Sequence, residues 1–355
     1  MNSGLDDVVA AETILSDVDG TGGELVIRGY PLDAIAGKIR FEGAIHLLLD
    51  GFFDDLPDED RLTSGLAAAR ADVFERTEAL LPRLAEMPVY EGMRAGLALM
   101  PDDRSLEAAL RLIAAPAVLT PALLRLRDGR APIVPEARLH HAEDIVRMLG
   151  RKDGANALDT YLVTVCDHGL NASTFAARVV ASTRAGLTSS VLAGLGALIG
   201  PLHGGAPGPV IDMLDRIQAE GNITGWLERE LESGERLMGF GHRIYRVRDP
   251  RADALKNAVR RLPRTAGRLA LAEAVEAKAL ELLSRSKPDR ALQTNVEFYT
   301  ALLLEAVGFP PEAFTCVFAM GRVLGWIAHS REQALLDRLI RPQSRYVGPR
   351  FDLAA

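Results

Sequence analysis

A chain of 355 residues, 48% of them hydrophobic, can bury a sizeable core and has the length of roughly two domains. Its net charge of -7 excludes a general nucleic-acid binder, so an anionic ligand has to be held by local arginine clusters. The two cysteines, Cys166 and Cys316, form no zinc pattern and no CxxC, and read as buried thiols in a reducing compartment. The acidic start MNSGLDDVVA lacks the apolar stretch of a signal peptide, and no charge-free run of about 20 apolar residues is evident. The expectation is a cytoplasmic protein with no membrane span.

Residues 11–29 predict short strands around the turn Asp17 to Gly23, with Glu24 to Arg28 as the second strand. Leu32 to Gly37 and Phe41 to Asp50 predict short helices. Residues 58–98 carry Leu, Val and Ala at helical spacing. Ser105 to Asp128 continues as helix, with a bend or break expected at Pro116 and Pro121. His141 to Leu149 and Ala157 to Cys166 are two more helices; the pair His140-His141 precedes the first of them and reads as exposed, not as a metal site. Asp167-His168-Gly169-Leu170-Asn171 breaks the pattern, with Gly169 ending one helix and Asn171 able to cap the next. His168 at that junction is either a partner for a helix C-terminus or a functional group.

Residues 186–202 are glycine-rich and apolar but contain no GxGxxG, and GxxxxGK[ST] is absent, so neither a dinucleotide fold nor a P-loop is supported. His203 follows in a glycine and proline turn before a helix over 210–218. A helix N-terminus disfavours imidazolium, and a neutral imidazole there can donate to a developing enolate; the alternative is a structural turn histidine. Residues 223–285 predict charged amphipathic helices, including Ala252 to Leu262 and Thr265 to Ser284, followed by the loop Ser286 to Arg290.

Within them lies the densest stretch, Gly239-Phe240-Gly241-His242-Arg243-Ile244-Tyr245-Arg246-Val247-Arg248-Asp249-Pro250-Arg251. Two glycines allow close backbone approach, one histidine follows, and arginines supply fixed cations. That combination suits an anionic substrate whose carbonyl must be polarised; the bland reading is a basic surface loop. Asn295 predicts the N-cap of a helix with Glu297 in its first turn, where an acid is either a dipole partner or a general base. Phe314 to Leu336 is a long apolar helix, and Arg322 inside it wants an anion. The tail from Arg341 to Arg350 is basic and extended.

Taken in order, Asp167-His168-Gly169-Leu170-Asn171, Pro201-Leu202-His203-Gly204-Gly205, Gly239-Phe240-Gly241-His242-Arg243, Asp249-Pro250-Arg251 and Arg341-Pro342 resemble the citrate synthase family, and Asp19-Gly20 with Ile27-Arg28-Gly29-Tyr30 is similar to its N-terminal hairpin. The likeness covers nearly the whole chain. It implies a mainly α, two-domain homodimer with a short N-terminal β-hairpin: a large helical domain from 1–203 and 303–355, and a small domain from 204–302. The implied activity is the tricarboxylic acid cycle condensation of acetyl-CoA with oxaloacetate, followed by hydrolysis of citryl-CoA to citrate and CoA. Glu297 would be the base, His203 would bind the thioester oxygen, and His242 would polarise and protonate the oxaloacetate carbonyl. His168, Arg251 and Arg322 would bind oxaloacetate, with Arg341 reaching in from the partner chain. Arg246 and the loop Leu237, Met238, Gly239, Phe240 and Gly241 would meet CoA. No cofactor and no metal are implied, because the acyl-CoA is a substrate.

The family most often carries aspartate where this chain has Glu297, one methylene longer. Three readings follow: a glutamate accommodated in the same chemistry, a 2-methylcitrate synthase using propionyl-CoA, or a weak paralogue that senses oxaloacetate or CoA. A citryl-CoA lyase related to the same module is a further alternative.

Overall fold

The computed structural model describes residues 8–203, 207–242, 244–263, 265–287, 290 and 292–350. The acidic start up to Asp7, Gly204 and Gly205 beside His203, Arg243, and Pro288 and Asp289 of the loop before residue 290 lie outside them. The chain is 61% helical, with a single small sheet among the described residues.

The sheet is antiparallel in the order β1 (Ser16–Asp19), β2 (Glu24–Ile27), β3 (Tyr30–Pro31). Asp19 pairs with Glu24, which leaves a four-residue turn. The Asp19 carboxylate closes it by accepting from the N–H groups of Thr21 and Gly22, both at 2.8 Å. Leu25 and Ile27 alternate inward and are buried.

Short polar side chains cap the helices that frame the site. Asp58, Ser105, Asn171, Asn222, Asp249 and Asn295 each accept from a backbone N–H in the first turn of the helix that follows. The stretch expected to be helical over 58–98 is Glu59–Thr77, a 3₁₀ turn, Leu81–Leu84 and Val89–Leu97, with Pro82 and Pro88 at helix starts.

Helix Leu106–Arg127 runs unbroken through Pro116 and Pro121, contrary to the expected break. It is covered by helices Glu59–Thr77, Val89–Leu97 and Phe314–Leu336, and packing on all sides holds a helix that proline weakens by roughly 3 kcal/mol each. By length and composition it could cross a membrane, but Glu107, Arg111, Arg125 and Arg127 leave it no charge-free run of about 20 residues, and nearly all of it is buried within the protein.

His141 corrects a second expectation. It is fully buried, not exposed, with its ring stacked on Phe41 at 5.5 Å and its N–H donating to Glu42 Oε1. His141, Ile145 and Met148 form one inward stripe of helix His141–Met148, at the i, i+4, i+7 spacing of a core face. The buried pair Arg70–Asp144 closes that corner at 2.8 Å. Burial and then the Arg70 charge push the His141 imidazole well below its usual range. His140, beside it, is the half-exposed residue at the helix start.

Helix Phe314–Leu336 is the axis of the core, and Trp326 within it is fully buried. A β-carbon at Gly325 would lie 2.3 Å from Cys166 O, so only glycine lets this helix meet the end of Ala155–Val165, where Gly325 N–H donates to that same carbonyl. This contact brings Arg322 beside Asp167 and His168. Cys166 and Cys316 are both buried free thiols, pushed up to about 12 chiefly by desolvation. Helix Gly208–Glu220 packs on Val296–Val307, Ile223–Glu232 and Ala266–Ser286 pack on Gly208–Glu220 and on each other, and Pro250–Arg260 bridges Val296–Val307 to Ala155–Val165.

Candidate active site

The segment after Ala155–Val165 turns at Gly169, whose φ is +62°, and Asn171 starts the next helix by accepting from the N–H groups of Ser173 and Thr174. His168 is thereby aimed away from the helix end and into the protein. It is buried, with Nε2 3.2 Å from the Tyr245 hydroxyl and its ring 5.8 Å from that of His242. Burial first, then the charges of Arg251 and Arg322, hold it well below the usual histidine range, so it is neutral.

The loop carrying His242 is stitched to the start of helix Val296–Val307. Gly241 N–H donates to Gln293 O at 2.7 Å, Asn295 N–H donates to Gly239 O at 2.9 Å, and Asn295 Nδ2 donates to Gly241 O at 2.8 Å. A β-carbon at Gly239 would lie 2.8 Å from Phe298, so the loop needs glycine to lie this close. His242 Nδ1 accepts from the N–H groups of Ile244 at 3.0 Å and Tyr245 at 3.1 Å. That assigns the proton of the neutral ring to Nε2. Burial and then Arg251 depress His242 to about 4.

Asp249 caps helix Pro250–Arg260 and clamps Arg251, whose Nε donates to Oδ1 at 3.0 Å and Nη2 to Oδ2 at 2.8 Å. Arg251 Nη2 also lies 3.2 Å from His242 Nε2. A guanidinium has no acceptor, and Nε2 carries a proton, so two donors sit side by side and suit one acceptor oxygen. Asp249 Oδ2 accepts from Val296 N–H at 3.1 Å as well, which ties Arg251 to the helix bearing Glu297.

Glu297 stands in the first turn of that helix, its own N–H donating to Asn295 Oδ1 at 2.9 Å. Its carboxylate has no hydrogen-bond partner among the described residues. Burial raises it to about 7, against the pull of Arg251 and with a further push from Asp249. Desolvation therefore outweighs both the nearby cation and the helix dipole. A carboxylate poised near neutrality is suited to proton transfer.

His203 sits in the turn after helix Leu187–Leu198, with its N–H donating to Gly200 O and its Nε2 2.6 Å from Ser173 Oγ. Ser173 Oγ also accepts from Trp326 Nε1 at 3.1 Å and donates to Asn171 Oδ1 at 2.8 Å. Burial, then the Arg322 charge, lowers His203 to about 4.

Arg322 is buried, donates from Nε to Val165 O at 2.7 Å, and lies with its guanidinium carbon 4.7 Å from the centre of the Phe318 ring. Its Nη2 has no partner among the described residues. Desolvation lowers it to about 10, still charged at neutral pH. A buried cation without an ion pair is costly, and an anion is what satisfies it.

The Arg322 charge reaches His168 and His203, and Arg251 reaches His168, His242 and Glu297, so these six residues share one electrostatic neighbourhood. The remaining candidates fall outside it. Arg341 is exposed on the segment beyond the last helix, and Arg246 is exposed on the loop. Leu237 and Gly239 are buried, while Met238, Phe240 and Gly241 are half-buried. A surface cavity of about 570 Å³ beside Arg127, Arg151 and Glu312 contains none of the candidates. Sequence reasoning missed Ser173, Tyr245 and the double duty of Asp249; each acts through a partner far along the chain, and no local spacing marks it.

A sequence model of the family described as "Citrate synthase, C-terminal domain" matches residues 4–343. The chain belongs to the citrate synthase family. A Mycobacterium tuberculosis protein whose name includes "citrate synthase 2" is 38% identical, across 98% of this chain and 92% of its own. The citrate synthase of Haloferax volcanii is 35% identical, across 98% and 96%. Among solved structures, the ternary complex of carboxymethyl coenzyme A and oxaloacetate with citrate synthase from Thermoplasma acidophilum aligns with a TM-score of 0.86 at 28% identity, covering 99% of this chain and 97% of that one. As a member of the citrate synthase family, the chain is an enzyme of the condensing transferase class.

Proposed function

We propose that the chain condenses acetyl-CoA with oxaloacetate and hydrolyses the resulting citryl-CoA to citrate and CoA. The observation that carries the reading is the buried Arg322, with Nη2 unpartnered, in one neighbourhood with Arg251, three neutral imidazoles and a carboxylate near neutrality. A dicarboxylate with a central carbonyl matches those groups in charge and in donors.

In this reading Arg322, Arg251 and His168 hold the carboxylates of oxaloacetate, since guanidinium presents a planar fork. The carbonyl oxygen takes the adjacent donors His242 Nε2 and Arg251 Nη2. Glu297 removes a methyl proton from the acetyl group. The Ser173 hydroxyl donates to Asn171 Oδ1 and accepts from Trp326 Nε1; this reading requires it to turn its proton to His203 Nε2, 2.6 Å away. His203 Nδ1 then carries a proton and donates it in a hydrogen bond to the thioester oxygen as negative charge develops there. The carbon nucleophile attacks the polarised carbonyl, and His242 protonates the new alkoxide. Water then releases CoA from the thioester.

The same reading divides the chain at 204 and 302 into a large domain and a small one that closes over the cleft, shutting water out while the carbanion-like species exists. It places CoA against residues 237–241 and Arg246, brings Arg341 from the second chain of a homodimer, and puts the enzyme in the cytoplasm without a cofactor. Glu297 remains compatible with propionyl-CoA, because a longer base arm implies a displaced α-carbon. Purified protein with oxaloacetate and either acetyl-CoA or propionyl-CoA tests it. Thiol release with acetyl-CoA supports the reading, a strong preference for propionyl-CoA replaces it by 2-methylcitrate synthesis, and release with neither refutes it.

A further inference from the structure

The β1–β2 hairpin supplies no group to the chemistry above, yet it touches both loops that carry the oxaloacetate histidines. On one side, Ser16 Oγ donates to Asp167 Oδ2 at 2.5 Å and accepts from Gly169 N–H at 2.9 Å. His168 is the residue between them, so one hydroxyl holds the Asp167 carboxylate on one flank of the imidazole and the Gly169 backbone on the other. On the other side, Arg246 N–H donates to Gly20 O at 2.7 Å. Arg246 directly follows Ile244 and Tyr245, whose N–H groups hold His242 Nδ1. The fit there is tight. A β-carbon at Gly20 would lie 2.4 Å from Ile244 O, and one at Gly23 would lie 2.5 Å from Val247 Cγ2.

The hairpin is built to keep its shape. Its turn is closed by Asp19, its inward side chains are buried, and the residues leading into β1 are anchored where Ile14 N–H and Thr13 Oγ1 donate to Glu332 Oε1 of helix Phe314–Leu336. Glu332 is in turn paired with the buried Arg178. Both histidine loops are irregular backbone, and a rigid strand pair spans the gap between them. Catalytic groups need placement within about 0.5 Å, and an error of about 1 Å can cost roughly 100-fold.

We propose that the β1–β2 hairpin is the positioning element of the oxaloacetate site, with Ser16 setting His168 and the Gly20 turn setting His242. The inference rests on the oxaloacetate reading for what the two imidazoles do. Neither Ser16 nor Gly20 touches substrate; both act through the loops they hold.

The test compares Ser16→Ala, Ser16→Thr, Gly20→Ala and Gly22→Ala in the full chain. Gly22 lies in the same turn, but the nearest atoms to a β-carbon there all belong to the Asp19 side chain and none to the loop carrying His242. Ser16→Ala is expected to raise KM for oxaloacetate about tenfold, with KM for acetyl-CoA within about twofold, and Ser16→Thr to recover most of the loss. Gly20→Ala is expected to lower kcat about ten- to a hundredfold, with Gly22→Ala within about twofold of the parent. Lower melting temperatures with kcat and both KM values kept, or equal losses for the two glycine variants, overturn the proposal. Gly20→Ala carries the test if Ser16→Ala does not fold. A parent chain that turns over while the variants behave like it refutes the hairpin role alone. A parent chain without turnover refutes the substrate reading, and histidine-selective ¹⁵N spectra then decide the hairpin role. Gly20→Ala should move the His242 Nδ1 signal and Ser16→Ala the His168 signals, with Gly22→Ala moving neither; unmoved signals overturn the proposal.

Discussion

Replacing Glu297 by glutamine should abolish turnover and, at the same time, stabilise the protein at high pH. The carboxyl has a folded value of about 7 against an ordinary 4.5, because burial disfavours its charge. The sign follows from proton counting. Between pH 4.5 and 7 the folded chain holds a proton that the unfolded chain has lost, so stability falls as pH rises through that window. Two and a half units at about 1.4 kcal/mol each give a penalty of about 3 kcal/mol, fully present above pH 7 and absent below pH 4.5. Glutamine is neutral throughout and carries no such penalty. Urea unfolding of the parent and Glu297→Gln at pH 5 and pH 8 measures it. The expected result is near-equality at pH 5 and a more stable variant at pH 8, by up to about 3 kcal/mol. Equal differences at the two pH values, or a variant weakened at pH 8, would refute the claim that Glu297 is a strained, desolvated base. In the same frame kcat/KM of the parent should rise with pH and level off above about 7.

Arg322→Met should weaken oxaloacetate binding at least about a hundredfold by calorimetry, since it removes a buried cation that lacks a counter-ion; unchanged binding would place the anion elsewhere. Ser173→Ala should lower kcat about 10- to 100-fold and leave KM for oxaloacetate within about threefold, because it releases the His203 tautomer without touching the arginines; a loss confined to KM would contradict the assignment. Mixing Arg341→Ala with Glu297→Gln subunits should restore about a quarter of parental activity, since half the dimers then hold one intact site if Arg341 acts across the interface. No recovery on mixing would put Arg341 in its own chain's site or in none.

The parts of this molecule that local chemistry dictates were legible from residues alone. Asn171, Asp249 and Asn295 announce helix starts by type, and each caps the helix expected of it. Arg322 stood out because a cation in an apolar helix needs a reason, and its Nη2 has no partner among the described residues. The order of the histidine, glycine and arginine motifs pointed to the family that the comparisons show. What stayed hidden depends on partners far apart in the chain. Pro116 and Pro121 lie inside an intact helix because surrounding helices hold it, and no local rule contains those neighbours. His141 was misread because its neighbour His140 is half-exposed, while the buried stripe it shares with Ile145 and Met148 becomes visible only with the helix phase fixed. Ser173 reaches His203 across 30 residues and Tyr245 reaches His168 across 77, distances at which periodicity carries no information.

The two sulfhydryls have a use beyond packing. Both are sealed in the interior and pushed up to about 12, so native protein should be almost inert to alkylating and chromogenic reagents at neutral pH. Each molecule that opens would expose two reactive groups at once. Labelling stoichiometry would therefore count unfolded chains directly, giving the enzyme an inbuilt gauge of its own integrity alongside any measurement of CoA.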